Sequence, residues 1–324
     1  MTQAIRIHQT GGTEVLQWET VDVGDPGPGE VRLRHTAIGV NFIDTYHRTG
    51  LYPLPLPFTP GLEGAGVVVA VGEGVTELAP GDRVAYVGGP PGGYAQERLI
   101  PAARVVRLPE GIDDVQAASM MLRGLTVQYL FRRTFRVQPG QTILFHAAAG
   151  GVGLIACQWA RALGVTMIGT VSSDEKAELA RAHGCAHTIV YSRENFVERV
   201  KEITLGRGVP VVYDSVGKDT FPGSLDCLAP MGMFVSYGNA SGPVPPFDML
   251  LLAQKGSLFA TRPSLPHYTA KREDLLAMSR ELFELVAAGK IHVAARHRFA
   301  LADAALAQGE LEARRTTGSV VLLP

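Results

Sequence analysis

The chain has 324 residues, enough for about two domains. With 46% hydrophobic and 19% charged residues it has the apolar content for a large core, which excludes a disordered chain. A net charge of −1 argues against nucleic acid or an anionic membrane as a partner reached by bulk electrostatics.

The start, Met1–Ile7, alternates like a strand and has no apolar core of a signal peptide. Thr36–Val40, Gly66–Val71 and Asp82–Val87 are predicted as short strands, punctuated by 17 of the 37 glycines before residue 94. Pro53, Pro55, Pro57 and Pro60 keep Tyr52–Pro60 out of a sheet and predict an extended surface loop. Asp113–Phe135 reads as helix-rich. From there strands and helices alternate. Thr142–Ala147, Val165–Val171, Thr188–Tyr191, Val209–Ser215, Met233–Tyr237 and Leu258–Arg262 read as strands. Gly153–Leu163 and Asp174–His183 read as helices between them. Repeated β-α-β units predict a parallel, doubly wound sheet. Glu273–Ala288 is an amphipathic helix ended by Gly289, and the chain closes on a helix over Leu301–Leu311 and a strand over Ser319–Leu323. The longest apolar runs, such as Val67–Val71 and Val320–Leu323, are too short to cross a bilayer, so no membrane insertion is expected.

The strongest local signal is Phe145-His146-Ala147-Ala148-Ala149-Gly150-Gly151-Val152-Gly153, between an apolar strand and an amphipathic helix. Glycines let the backbone approach a pyrophosphate, and a helix N-terminus offers N–H groups and a positive dipole end. Gly150, Gly151, Val152 and Gly153 are therefore the expected pyrophosphate contacts. After the next strand stand Ser172, Ser173, Asp174, Glu175 and Lys176. An acid there can read the ribose of NAD. Asp174 also fits a plain helix start, as part of a capping box. Ser172, Ser173 and Lys176 suit a 2′-phosphate, and Tyr191 stands where it can cover the adenosine. This reading favours NADPH over NADH.

Two histidine features have plainer readings. His183 and His187 are four apart, but Gly184 ends the helix between them, so a helix C-terminus accounts for His183 better than a metal does. His146, beside the glycine turn, reads as a satisfied strand-end histidine. The three cysteines, Cys157, Cys185 and Cys227, are odd in number and widely spaced. They offer neither a disulfide framework nor a zinc knuckle and fit a reducing, cytoplasmic compartment.

Three stretches carry a resemblance: Gly39-Val40-Asn41-Phe42-Ile43-Asp44, Pro60-Gly61-Leu62-Glu63-Gly64-Ala65-Gly66, and His146–Gly153. The chain resembles the medium-chain dehydrogenase/reductase superfamily, and within it the NADPH quinone oxidoreductases related to zeta-crystallin. Gly50-Leu51-Tyr52-Pro53, Gly124-Leu125-Thr126-Val127, Val212–Gly217, Gly238-Asn239 and Leu311–Arg314 match as well. The resemblance implies an α/β fold: a Rossmann doubly wound parallel sheet (124–266) plus a GroES-like β-barrel substrate domain (1–123, with 267–324 returning to it). It implies that Asn41, Phe42, Asp44 and Tyr46 lie near the nicotinamide end, with Asn41, Asp44 and Tyr46 as catalytic candidates. Tyr46 and Tyr52 would border the substrate pocket. Thr126 and Tyr129 would touch the nicotinamide half, Ser215, Gly238 and Asn239 would sit at strand ends facing the cofactor, and Arg314 would approach from the C-terminal return.

In the zinc alcohol dehydrogenases of the superfamily, the positions of Asn41 and Leu62 are zinc ligands. Neither residue here supplies a zinc ligand of that kind. The implied activity is hydride transfer from NADPH to a small-molecule quinone without metal, by a homodimer. An alkenal or enone reductase is the enzymatic alternative. A dinucleotide-binding sensor or RNA-binding protein is the non-enzymatic one, against which the neutral charge counts.

Overall fold

The alternating start forms strand β1 (Thr2–Arg6), which pairs antiparallel with β2 (Gln17–Val21). The long β3 (Glu30–Val40) buries Val31, Leu33 and Ala37 on one face, the period of two that a strand imposes. Helix α1 (Phe42–Thr49) follows at once. It was invisible to apolar periodicity because its buried residues are Asp44, Thr45, His47 and Arg48. The proline segment then runs without regular structure, apart from a bridge between Phe58 and Ile7. Next come β4 (Glu63–Val71), β5 (Arg83–Val87), β6 (Glu97–Pro101) and β7 (Val105–Arg107). Strand β3 pairs antiparallel with both β4 and β6, and β5 links β4 to β7. The helix-rich stretch resolves into α2 (Asp114–Ala118), α3 (Met121–Tyr129) and a wide helical turn at Leu130–Thr134.

This computed structural model describes residues 1–324, which fall into two units. The first comprises Met1–Leu125, Tyr268–Ala288 and Val293–Pro324; the second comprises Thr126–His267 and Gly289–His292. The short Gly289–His292 segment groups with the second unit. Its His292 exchanges two hydrogen bonds with the Gln158 side chain: Gln158 Nε2 donates to the His292 carbonyl, and the His292 N–H donates to Gln158 Oε1.

The second unit holds β8 (Thr142–Phe145), α4 (Gly151–Ala162), β9 (Thr166–Val171), α5 (Asp174–Ala182), β10 (His187–Val190), α6 (Phe196–Ile203), β11 (Val209–Asp214), α7 (Phe221–Asp226), β12 (Leu228–Ser236) and β13 (Phe259–Thr261). The sheet order is β10-β9-β8-β11-β12-β13 and every pairing is parallel. That is the doubly wound order, with a topological switch between β8 and β11. Leu144, Ile168, Ile189 and Val212, from four neighbouring strands, share one core cluster with Phe221, Leu225 and Phe234.

The chain returns to the first unit through the helix Arg272–Ala287, then β14 (Ala295–Ala300), the helix Ala304–Glu312 and β15 (Ser319–Leu323). Strand β15 pairs with the end of β3, placing the C-terminus beside Ile38–Val40. No helix is long and apolar enough to cross a membrane.

Candidate functional site

In the first unit the candidate residues gather around a buried carboxylate. Glu63 opens β4 and is fully buried. Its Oε2 accepts a 2.7 Å hydrogen bond from Asn41 Nδ2, and its Oε1 accepts one of 2.8 Å from the Leu122 N–H. Arg123 stands 3.5 Å from Oε2 and also donates to the Ser119 and Val40 carbonyls. A side chain at Gly39 would collide with Glu63 Oε2 and the Ala118 carbonyl, so glycine is the residue that lets the carboxylate seat. Burial pushes the Glu63 carboxyl up, and Arg123 pulls it back.

Asn41 caps α1. Its N–H donates to Asp44 Oδ2 at 2.9 Å, which satisfies one of the orphan groups at the helix start. Tyr94 Oη donates to the same oxygen at 3.0 Å. Gln308 donates to Tyr94 Oη and accepts from Arg48, and Arg48 holds Glu312 bidentately at 2.8 and 2.9 Å. Asp44 itself is fully buried, and burial raises its carboxyl pKa to about 7. Asp44, expected near the nicotinamide end, has no exposed surface, and its Oδ2 accepts from the Asn41 N–H and from Tyr94.

Around this cap sits an aromatic group. Phe42 and Tyr46 have ring centroids 6.4 Å apart, and Tyr46 meets Tyr52 edge-on at 5.3 Å. Both tyrosines are half-buried, so the expected substrate-pocket pair is together. Arg314 also lies in the first unit, just past the helix Ala304–Glu312, at a φ of 59°.

The remaining candidates lie in the second unit. Phe145 ends β8 and Gly150 precedes α4 with φ −76°. Between them Ala147 adopts a left-handed φ of 57°. A Cβ on Gly153 would collide with the Ala147 and Ala148 carbonyls, so the turn folds directly onto the helix start. No acid occupies the first turn of α4. Gly150, Gly151, Val152 and Gly153 thus form a cradle suited to an anion.

Ser173 caps α5, accepting from the Lys176 N–H at 3.3 Å; the helix does start here, but with Lys176 three residues after the cap there is no capping box. Ser192 Oγ donates to the Ser172 carbonyl, which brings the loop after β10 beside the loop after β9. Tyr191 is exposed there. Sequence reading missed Arg193, which forms a bidentate pair with Asp174. The hydrogen bond from Arg193 lowers the Asp174 pKa. Asp174 therefore faces a guanidinium, which offsets its repulsion of a phosphate. The Tyr-Ser-Arg spacing at the end of a third strand was the available signal. Ser215, Gly238 and Asn239 also come together. Ala240 N–H donates to the Ser215 carbonyl, Arg262 donates to the Gly238 carbonyl, and a Gly238 side chain would strike Ser215. Thr126 and Tyr129 are buried in the part of α3 that belongs to this unit. His183 Nδ1 bonds to the Leu179 carbonyl, one turn back in α5, and Cys185 Sγ donates to the His187 carbonyl.

Two family models match the chain: the alcohol dehydrogenase GroES-like domain over residues 27–110 and the zinc-binding dehydrogenase over residues 151–267. A quinone oxidoreductase of Pseudomonas aeruginosa is 58% identical over 325 residues, covering all of both chains. A 2-haloacrylate reductase of a Burkholderia species is 52% identical over 332 residues, covering all of this chain and 99% of its own. The solved structure of Escherichia coli quinone oxidoreductase complexed with NADPH matches with a TM-score of 0.98 and 50% identity, over 99% of this chain and 100% of that one.

Asp44 sets a pH dependence. Its folded pKa of about 7 lies above the ordinary 3.8, so the folded state binds the extra proton between those values. Its contribution is present at low pH and is lost as pH rises through about 7. The stability of the wild type relative to Asp44→Asn, measured by denaturant titration, should grow as pH falls from 8 to 5. A difference that stays flat across that range would contradict the assignment.

Proposed function

The chain belongs to the quinone oxidoreductase family of the medium-chain dehydrogenase/reductase superfamily, and we propose that it is an NADPH-dependent quinone reductase working without metal. The observation that carries this reading is the anion cradle at Ala147–Gly153 beside the Ser172–Lys176 and Tyr191–Arg193 loops, since it offers separate places for a pyrophosphate and a 2′-phosphate.

NADPH, when bound, supplies the hydride that reduces the quinone. The protein's own part is to hold and orient. Gly150, Gly151, Val152 and Gly153 bind the pyrophosphate through backbone N–H groups. Ser172, Ser173, Lys176 and Tyr191 bind the adenosine phosphate, and Arg193 neutralises Asp174 so that the phosphate meets net positive charge. Thr126, Tyr129, Ser215, Gly238, Asn239 and Arg314 are further cofactor contacts. Asn41, Phe42 and Tyr46 serve the nicotinamide end, and Tyr46 with Tyr52 offers aromatic faces and edges to a flat acceptor. Asn41 can orient a ring oxygen because Glu63 fixes its amide.

Zinc does not fit the residues present. The Asn41 amide nitrogen is engaged by Glu63, Leu62 is buried and apolar, and the Glu63 oxygens already accept from Asn41 and Leu122. No step is assigned to a metal.

Reduction of an activated alkene is the second reading, favoured by the 52% identical 2-haloacrylate reductase. We also infer a homodimer built on the edge of β13, where Phe259 is 58% exposed at the end of the sheet. The three buried thiols suit a reducing cytoplasm.

Purified enzyme should oxidise NADPH with 1,4-benzoquinone, and kcat/KM for quinones should exceed that for enones and 2-haloacrylates. The reverse order would move the assignment to the alkene reductase. Lys176→Ala and Arg193→Ala should each raise the KM for NADPH about tenfold, the scale of one lost charge-assisted contact, and change that for NADH far less. Equal loss for both nucleotides would remove the 2′-phosphate assignment. In light scattering the wild type should have twice the chain mass and Phe259→Lys should shift toward monomer; a monomeric wild type would refute the dimer.

A further inference from the structure

One buried polar cluster in the second unit has no role in the reading above. His146, Thr170, Asp214 and Ser224 come from β9, the ends of β8 and β11, and α7, and all are buried. His146 Nδ1 lies 2.9 Å from Thr170 Oγ1, and His146 Nε2 lies 3.0 Å from Ser224 Oγ. Ser224 Oγ lies 2.9 Å from Asp214 Oδ2. Thr170 Oγ1 also lies 3.4 Å from the Ala147 N–H.

The direction of every proton follows from the ends. Asp214 receives four donors: the Val216 and Gly217 N–H groups on Oδ1, and the Thr220 and Ser224 hydroxyls on Oδ2. A carboxylate can only accept. Ser224 therefore spends its single hydrogen on Asp214 and must accept from His146. That places the histidine proton on Nε2 and leaves Nδ1 as an acceptor. Thr170 then donates to Nδ1, and its oxygen accepts from the Ala147 N–H. Burial lowers the His146 pKa, with Asp214 opposing, so the ring stays neutral and keeps one donor and one acceptor. Phe196 closes the site with its ring edge-on at 5.1 Å.

We propose that Asp214, Ser224, His146 and Thr170 form a one-way hydrogen-bond relay that positions the Ala147 turn for the dinucleotide, making His146 and Thr170 positioning residues. The turn needs such support. A left-handed alanine is strained and persists where its surroundings over-determine it. The Ala147 neighbours are already clamped: His146 N–H donates to the Tyr213 carbonyl and Ala148 N–H to the Thr170 carbonyl. The relay satisfies the N–H between them. It also joins the turn after β8 to the loop after β11, because Asp214 holds Val216 and Gly217 with its other oxygen. The two loops flank the topological switch, so one carboxylate anchors both sides of the cradle.

The inference rests on the dinucleotide reading, and two measurements separate them. NADPH binding is followed by nucleotide fluorescence without acceptor. Thr170→Val removes the hydroxyl and keeps the branched shape. It should raise the NADPH Kd about tenfold, leave kcat at saturating NADPH within about twofold, and leave 2′-AMP binding unchanged, since that probe has no 5′-phosphate. Thr170→Ser, which retains the hydroxyl, should restore wild-type binding. An NADPH Kd for Thr170→Val within twofold of wild type would overturn the relay. Nitrogen-15 NMR of the wild type should show His146 neutral with its proton on Nε2; a proton on Nδ1, or an imidazolium, would overturn it without any variant. A wild type that binds no NADPH would defeat the function reading, and the tautomer would still decide the relay.

Discussion

The first unit depends on one buried carboxylate being satisfied. An unpaired ionised carboxylate in a dry interior is costly enough that it neutralises or finds partners. Glu63 finds three: the Asn41 amide, the Leu122 N–H and Arg123. Each partner fixes a different piece of chain. Asn41 starts α1, Leu122 belongs to the first turn of α3, and Arg123 ties the end of β3 to the end of α2 through the Val40 and Ser119 carbonyls. Four segments are locked by one side chain, and Gly39 is bare so that it fits. Removing one partner leaves the other charge stranded, so the cluster stands or falls together.

The second unit uses the same device at a different place. Asp214 is also fully buried at the end of a strand, and it also collects backbone N–H groups from the loop that follows. Two acceptor oxygens with four donors make a rigid node. Both units therefore set their candidate groups from behind, through a carboxylate that has no surface of its own. In the proposed reading, the parts that meet a ligand are Asn41 in the first unit and the Ala147 turn in the second. This division suits hydride transfer, where the protein supplies orientation and the cofactor supplies reactivity.

What was legible in the sequence followed locality. The strand-turn-helix at Thr142–Ala162 announces itself by an apolar run, glycines and helical spacing within twenty residues. The parallel order followed because each β-α-β step repeats the signal. The partners that matter most were not legible. Asn41 and Glu63 are 22 residues apart, Arg48 and Glu312 are 264, and His146 and Ser224 are 78. No periodicity encodes such pairs; they exist only once the sheet is built. The surroundings of Asp44 were hidden for the same reason, since Tyr94 and Gln308 reach it from distant segments. Arg193 was passed over because the loop after β10 meets that after β9 only through their strands' pairing.

The acceptor side carries the least charge, and that has a consequence for selectivity. The groups offered by α1 and the loop after it are the rings of Phe42, Tyr46 and Tyr52 and one fixed amide. Aromatic faces favour flat, electron-poor partners but discriminate weakly among them, since apolar contacts separate close analogues by only about 1–3 kcal/mol. Strong rejection needs buried polar groups that a wrong substrate would leave unpaired. Here the Glu63 oxygens already accept from Asn41 and Leu122, and Asp44, whose Oδ1 has no partner, is enclosed in the interior. In the proposed reading an acceptor is therefore chosen by shape and reduction potential more than by its pattern of hydrogen bonds. In the same proposed reading the nucleotide is chosen differently, by charge at Lys176 and Arg193 and by backbone at Gly150–Gly153. On that reading one half of the reaction is held tightly and the other loosely, as expected where a single reductant serves several related acceptors.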